Sequence, residues 1–217
     1  MTGLRERKKE QTRQLIAETA RRLFSERGFD RVPVAEIARA ADVSEQTVFN
    51  YFPTKEDLVY WRLGSFEEEL LATIRDRDPG ESVLSAFGRF VSTPRGMLGS
   101  YDEEERARLA ALTRTIVESP ALLAREQQIF ARYTGNLAAL LAEEQGADEG
   151  DVEPWVVANA LMGVHRALVD YARRRVVADA RHPRLARDVR AQVERALARL
   201  EHGLGDYSIK RAPGPRS

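Results

Sequence analysis

The sequence predicts an all-α protein of about nine helices, with an N-terminal three-helix helix-turn-helix head and a larger helical domain. Apolar residues recur at three- and four-residue intervals along most of the chain, and proline or glycine interrupts these segments. Three short helical segments also fall close together at the start, which is typical of a helix-turn-helix. We place the head at residues 1–55 and the larger domain at 56–205, and we expect a disordered tail at 206–217.

Two helices precede the turn. Helical spacing of Ile16, Ala20 and Leu23 predicts a first helix over residues 9–27, which Gly28 ends. Pro33 has a fixed φ that suits a first helical position, so we expect it to begin a short second helix.

The third helix is predicted over residues 45–52. Ser44 is a favourable N-cap, and Pro53 disfavours helical geometry in the residue before it. A helix of this length measures about 12 Å, which is comparable to the width of the DNA major groove.

The two faces of this helix have different chemistry. At about 100° per residue, Val48 and Phe52 share the face that turns toward a core. Gln46 and Asn50 fall on the opposite face, and their amides can donate to and accept from a base edge. Thr47 lies on a flank with Tyr51, where hydroxyls suit phosphate oxygens.

A capping box follows the third helix. Thr54-Lys55-Glu56-Asp57 predicts the start of a fourth helix, whose N-terminus and lysine favour anion binding.

These residues resemble the DNA-binding domain of TetR-family (tetracycline-repressor-like) transcriptional regulators, over residues 10–60. The resemblance lies in the run IAETARRLFSERGFDRVPVAEIARAADVSEQTVFNYFPTKEDL. It implies a double-stranded DNA operator as partner, and an all-helical ligand-binding and dimerisation domain in the rest of the chain. The residues that we expect at the DNA are Ser44, Glu45, Gln46, Thr47, Phe49, Asn50, Tyr51 and Lys55.

Two positions depart from the family pattern. Pro33 replaces a threonine that usually caps the second helix and contacts a phosphate, so we expect this contact to be missing or to be supplied by a neighbour such as Arg31 or Arg39. Asp42 replaces the usual glycine of the turn, and aspartate tolerates left-handed geometry better than most residues.

Composition is consistent with a DNA-binding head. The net charge is zero, yet residues 1–55 carry 11 Lys or Arg against 8 Asp or Glu, so the head is basic. A solvated basic tail is an equally simple interpretation of the cluster near the N-terminus. The chain has no cysteine, no apolar run of membrane-spanning length and a charged N-terminus, which together favour a cytoplasmic protein and no membrane partner.

Six further helices are predicted at residues 58–77, 81–92, 103–117, 120–144, 152–177 and 183–203. Residues 155–171 are apolar on nearly every face, and residues 185–204 carry an apolar stripe. We expect this pair to form a four-helix interface in a homodimer, although an ordinary monomeric core is the alternative. The interface candidates are Gly163, Val189, Val193, Leu197 and Leu200.

A pocket for an unknown small-molecule effector is expected in the larger domain. Trp155, Asn159 and His165 are polar or half-polar groups among apolar neighbours, although a hydrogen-bonded core histidine is the simpler interpretation of His165. Weaker candidates on neighbouring helices are Trp61, Arg62, Arg114, Phe130 and Tyr133.

An enzyme is the competing class. The sequence contains no phosphate-binding glycine loop, no H-E-x-x-H and no G-x-S-x-G, and its three histidines lack metal-ligand spacing. We therefore expect no catalytic residue, cofactor or metal. A helical protein-binding adaptor is a third possibility, but it would leave Thr47, Asn50, Tyr51 and Lys55 unexplained as a set.

Overall fold

The computed structural model describes residues 3–61, 63–93, 103–179 and 184–203. Within these ranges the chain forms helices and connecting turns, which confirms the all-α fold class. The ten helices are α1 Leu4–Arg27, α2 Val34–Ala40, α3 Glu45–Tyr51, α4 Asp57–Tyr60, α5 Leu63–Arg75, α6 Val83–Ser92, α7 Glu103–Val117, α8 Pro120–Gln145, α9 Glu153–Ala178 and α10 Leu185–His202. The predicted tail at 206–217 lies outside the described residues.

Helices α1 to α3 form the head, with bounds close to those predicted. Helix α1 begins five residues before the predicted start and ends at Gly28, where φ is 85°. Pro33 is the N-cap of α2 and not its first residue, because its ψ of 151° is extended. The turn before α3 is intact, since Asp42 adopts a φ of 55°.

The head has an apolar core between its three helices. Ile16 and Phe24 of α1, Ile37 of α2, and Val48 and Phe52 at α3 are all almost fully buried. Val48 and Phe52 therefore occupy the core face predicted for them, and they hold α3 against the other two helices.

The predicted fourth helix is two helices. Helix α4 ends at Tyr60 and α5 starts at Leu63, with a turn at Trp61 between them. Helix α4 packs on α1 of the head, whereas α5 packs on α6 and α8 of the larger domain. A continuous apolar periodicity does not reveal which neighbour each part of the segment packs on.

The larger domain is built on two long helices. Helix α8 packs along α9, and α10 packs on both α9 and α6. Phe87 and Phe90 of α6 and Tyr133 and Leu137 of α8 are buried where these helices meet. Helix α8 ends at Gly146, whose φ of 61° is left-handed. Every helix in the described ranges lacks the length or the apolar character that a bilayer crossing demands.

The apolar stripe of α10 is directed into its own chain. Val193 has an exposed fraction of 0%, and Leu197 lies so close to Gly88 of α6 that a Cβ there would be 2.8 Å from Leu197 Cδ1. Val189, Leu197 and Leu200 are half-buried. The prediction that Val193 contacts a second copy is therefore wrong, because α6 and α9 already cover that face of α10.

We predict that Val193→Thr lowers the free energy of unfolding by about 1–3 kcal/mol, because it buries a hydroxyl in place of a methyl. Val117→Thr is the matched control, since Val117 is a valine at the end of α7 that is 40% exposed. It should change stability by less than about 0.5 kcal/mol. Urea denaturation followed by circular dichroism measures both values, and equal losses would contradict the burial described for α10.

Candidate nucleic-acid interface and internal cavity

Helix α3 presents a polar surface opposite the core of the head. Gln46 and Asn50 are both exposed, and Gln46 Nε2 donates to Asn50 Oδ1 at 3.1 Å. Phe49 is 43% exposed beside them, and Glu45 is also exposed. The amides share one face as predicted, and they lie close enough to form a hydrogen bond with each other.

The N-terminus of α3 is capped as predicted. Ser44 Oγ accepts from the backbone N–H of Thr47 at 3.0 Å, and it lies 2.8 Å from Thr47 Oγ1. Thr47 and Tyr51 are half-buried on the flank of the helix. The cap stabilises the short helix by about 1 kcal/mol. It also leaves the hydroxyls of Ser44 and Thr47 beside each other at the N-terminal end of the helix.

Lys55 lies in a different environment from the one expected. Its Nζ donates to the backbone carbonyl of Phe29 at 2.7 Å and lies 4.3 Å from the centroid of the Phe29 ring. Burial lowers the pKa of Lys55 below its usual value, against the opposing effect of Asp30 and Glu56. The lysine thus joins the end of α1 to the start of α4, and its remaining ammonium donors are available to an anion.

Asp57 connects the head to the larger domain. Its Oδ2 accepts from the backbone N–H of Thr54 at 3.1 Å, while Thr54 Oγ1 accepts from the N–H of Asp57, so the predicted capping box is present. Its Oδ1 accepts from Arg125 of α8, from Nη2 at 2.7 Å and from Nε at 3.1 Å. One carboxylate therefore closes the turn that leads into α4 and also binds α8.

Tyr60 makes a second connection between α4 and α8. Its hydroxyl donates to the backbone carbonyl of Leu122 at 3.0 Å. Burial, with the nearby charge of Glu126, raises the pKa of Tyr60 well above its usual value, although Arg173 acts in the opposite direction. The hydroxyl therefore stays protonated and remains a donor at any physiological pH.

A cavity of about 270 Å³ lies directly behind α4. Its wall is mostly apolar and aromatic and includes Phe24 of α1, Leu58 of α4, Phe66 of α5 and Ile116 of α7. Pockets that bind small molecules have this character, with a few polar groups that fix orientation. The cavity touches the head and the larger domain at once.

The main polar group of the cavity wall is an ion pair between two helices. Arg173 of α9 donates from both Nη atoms to the carboxylate of Glu126 on α8, with Nη1 2.6 Å from Oε2. The exposed fractions of the two side chains are only 14% and 9%. A bidentate pair in this environment satisfies both charges, and either residue alone would be costly to bury.

The structure separates the predicted ligand-binding residues. Trp61, Phe130 and His165 line the cavity, and the His165 ring stacks on Phe66 with centroids 4.5 Å apart. Tyr133 is buried in the core next to Phe66 and does not line the cavity. Arg114 is exposed and lies away from it, and Arg62 falls outside the described residues.

Trp155 and Asn159 do not line the cavity, contrary to the predicted pocket. Trp155 is 51% exposed and Asn159 is exposed, with its amide bonded to the backbone carbonyl of Trp155 at 2.7 Å. Both lie on the outer face of α9, whereas His165 lies on the inner face. The prediction that the three residues line one pocket is therefore wrong, because an apolar sequence on all sides of a helix does not indicate which side is covered.

The sequence did not predict the two interhelical ion pairs of this region, Asp57–Arg125 and Glu126–Arg173. Glu126 could have been noticed, since it stands at helical spacing from Leu122 and Ile129 in the apolar stripe of α8. A carboxylate at such a position indicates a buried partner. The partner itself, Arg173, lies 47 residues away and carries no local signal.

The fold and the exposed face of α3 define a class, the helix-turn-helix DNA-binding regulators. Residues 16–60 match the model of the bacterial regulatory proteins of the TetR family, and residues 95–205 match the MftR C-terminal domain. The chain belongs to the TetR family and is a DNA-binding transcriptional regulator.

Individual relatives agree with this family. The transcriptional regulator TcmR of Streptomyces glaucescens is 28% identical over 169 residues, which cover 76% of this chain and 75% of that protein. MftR of Mycobacterium tuberculosis, which is named for the regulation of mycofactocin biosynthesis, is 28% identical over 165 residues, or 73% of this chain and 78% of that protein. The solved structure of native NalD, the secondary repressor of the MexAB-OprM multidrug efflux pump in Pseudomonas aeruginosa, shares the fold with a TM-score of 0.55. It is 21% identical to this chain, and the match covers 87% of this chain and 95% of that structure.

We predict that Glu126→Leu lowers the free energy of unfolding by about 3–5 kcal/mol, because it leaves the Arg173 charge buried without its partner. Adding Arg173→Met should recover most of that loss. Glu26→Leu is the control, since the pair that Glu26 forms with Arg22 is exposed and is worth less than about 1 kcal/mol. Urea denaturation of the parent, Glu126→Leu, Arg173→Met and the double variant gives the coupling, and additive losses in the double variant would contradict a buried pair.

Proposed function

We propose that this regulator is a repressor that binds a palindromic operator as a homodimer and leaves it when a small molecule occupies the cavity behind α4. The observation that carries the proposal is the paired amide surface of α3. Gln46 and Asn50 point away from the core that Val48 and Phe52 anchor, at the position where a recognition helix meets base edges.

The phosphate contacts are assigned to groups around α3. Ser44, Thr47 and Tyr51 supply hydroxyls on its flank, and the exposed lysines of α1, Lys8 and Lys9, add positive charge. Lys55 contributes its charge from the base of α4, where the Phe29 carbonyl holds it. Glu45 is exposed at the first turn of α3 and would discriminate against bases that offer no donor.

A homodimer is proposed through the outer face of α9. Val152 is 69% exposed, Val156 62% and Trp155 51%, and the Trp155 ring lies over Gly135 of α8. Gly163 continues this face, and a Cβ there would meet nothing within 4 Å. Exposed apolar groups in one strip along a helix favour a self-complementary interface. Two heads about 34–36 Å apart would then meet successive turns of one duplex.

Release is proposed to pass through α8. Residues 122, 125 and 126 lie within two turns of this helix, and they contact Tyr60, Asp57 and Arg173 respectively. A ligand in the cavity touches Glu126 and Tyr60, so it can move α4 relative to α8. The coupling free energy is then the difference in ligand affinity between the two arrangements of the heads.

Two other functions are less consistent with these features. A protein-binding adaptor would not need the two amides of α3 to be exposed and bonded to each other. An enzyme would need a set of reacting groups at the cavity, where the carboxylate and the guanidinium are bonded to each other. We therefore assign a regulatory role without catalysis, exercised in the cytoplasm where bacterial DNA lies.

We predict that Asn50→Ala weakens binding to the operator by about 1–3 kcal/mol and binding to a scrambled duplex far less, because it removes a base contact. The operator is first isolated by selection from random duplexes with the purified protein. Lys55→Ala is the comparison variant and should weaken binding to both duplexes alike, with a slope of log K against log salt that is smaller by about one. Equal losses for Asn50→Ala on both duplexes would contradict base recognition by α3.

We predict that Trp155→Glu combined with Val156→Glu yields a folded monomer, since both side chains are exposed in the single chain. Leu15→Glu is the control, because Leu15 of α1 is 51% exposed and lies in the head. It should leave the assembly unchanged. Light scattering at micromolar concentration gives the mass, and circular dichroism checks the fold. A dimer that survives the double substitution would place the interface elsewhere.

A further inference from the structure

A second, polar groove adjoins the cavity. It has a volume of about 440 Å³ and lies between α1 of the head and α7 of the larger domain. Arg21 and Arg22 of α1 and Arg108 of α7 line it. Leu112 and Arg21 line both this groove and the inner cavity, so the two spaces meet at these residues.

The two spaces differ in what they can bind. The inner cavity is walled mainly by apolar and aromatic side chains, and its Glu126–Arg173 pair satisfies itself. The groove carries three arginines against two glutamates, Glu18 and Glu104. Its lining therefore has a net positive charge, next to the apolar cavity with which it shares Arg21 and Leu112.

The arginines of the groove can bind an additional anion. Arg108 donates to Glu104 one turn away, but both side chains are largely exposed, at 52% and 71%, so that ion pair is worth little. A guanidinium has five N–H donors. Arg108 bonds the Glu104 carboxylate through one Nη atom, so other N–H groups of its guanidinium can donate to a second acceptor. Arg22 is likewise exposed, with Glu26 as its partner on the surface of α1.

We infer that the ligand of this regulator is an amphipathic anion, with an apolar body in the inner cavity and an anionic head group in the groove between α1 and α7. This inference rests on the proposed function and names its ligand class. The head group binds Arg22 of α1 and Arg108 of α7 together, near the junction at Arg21. The ligand thereby contacts α1 directly, in addition to its contact with α4.

The size of the cavity limits the apolar body. Its volume of about 270 Å³ lies just below the range of about 300–1,000 Å³ that is usual for drug-sized ligands. A chain of about ten carbons is a suitable probe on that ground. Decanoate and 1-decanol share the same chain and differ in the charge of the head group, so the pair separates the groove from the cavity.

The test measures binding of both probes to the full-length protein by isothermal titration calorimetry. Arg22→Gln combined with Arg108→Gln should weaken decanoate binding by about threefold to tenfold, as expected for two partly exposed charge pairs. Binding of 1-decanol should change by less than about twofold. Arg114→Gln is the control, since Arg114 lies on α7 outside the groove, and it should alter neither probe.

Three results would overturn the inference: equal weakening of both probes, no weakening of decanoate, or no binding of decanoate to protein that still binds its operator. Release of the operator is measured in parallel by fluorescence anisotropy. If 1-decanol binds and releases the operator while the arginine variants behave as the parent, the groove assignment fails and the proposed function stands. If decanoate binds as inferred but the operator is never released, the proposed coupling fails and the ligand class stands.

Discussion

The position of the head relative to the larger domain depends on the carboxylate of Asp57. One of its oxygens closes the turn that leads into α4 through the backbone N–H of Thr54, and the other accepts two hydrogen bonds from Arg125 of α8. Hydrogen bonds of this kind, with a charge on both partners, are short and strong. The start of α4 cannot move along α8 without breaking them, so a residue that closes a local turn also contributes to the interdomain geometry, together with the Tyr60–Leu122 hydrogen bond.

The surroundings of this contact explain why a cavity lies beside it. Leu58 and Tyr60 of α4 line one part of the cavity wall. The Glu126–Arg173 pair lines another part and joins α8 to α9. A buried ion pair of this kind contributes little net stability compared with apolar packing, but losing one partner is costly. It therefore favours a single arrangement of α8 and α9 around the space that they enclose.

Predictions from the sequence were most reliable where the signals are local. The N-cap at Ser44, the capping box at Thr54 and the left-handed turn at Asp42 each involve residues within a few positions of one another. They were less reliable where a partner lies far along the chain. The ammonium of Lys55 meets a carbonyl 26 residues away, and the sequence around Lys55 indicates only that a cation stands at the start of a helix.

The sequence by itself determined the all-α class, the three helices of the head and the two faces of α3, because periodicity and capping are properties of short segments. The tertiary structure alone decided that the predicted fourth helix has different neighbours along its length, with α4 on α1 of the head and α5 on α6 and α8. It also decided which side of α9 is covered. Trp155 and His165 lie on one helix that is apolar on nearly every face, and only the packing of α8 against it buries the inner side and leaves Trp155 at the surface. An apolar side chain favours burial without specifying the surface that buries it, and that surface is supplied by residues distant in sequence.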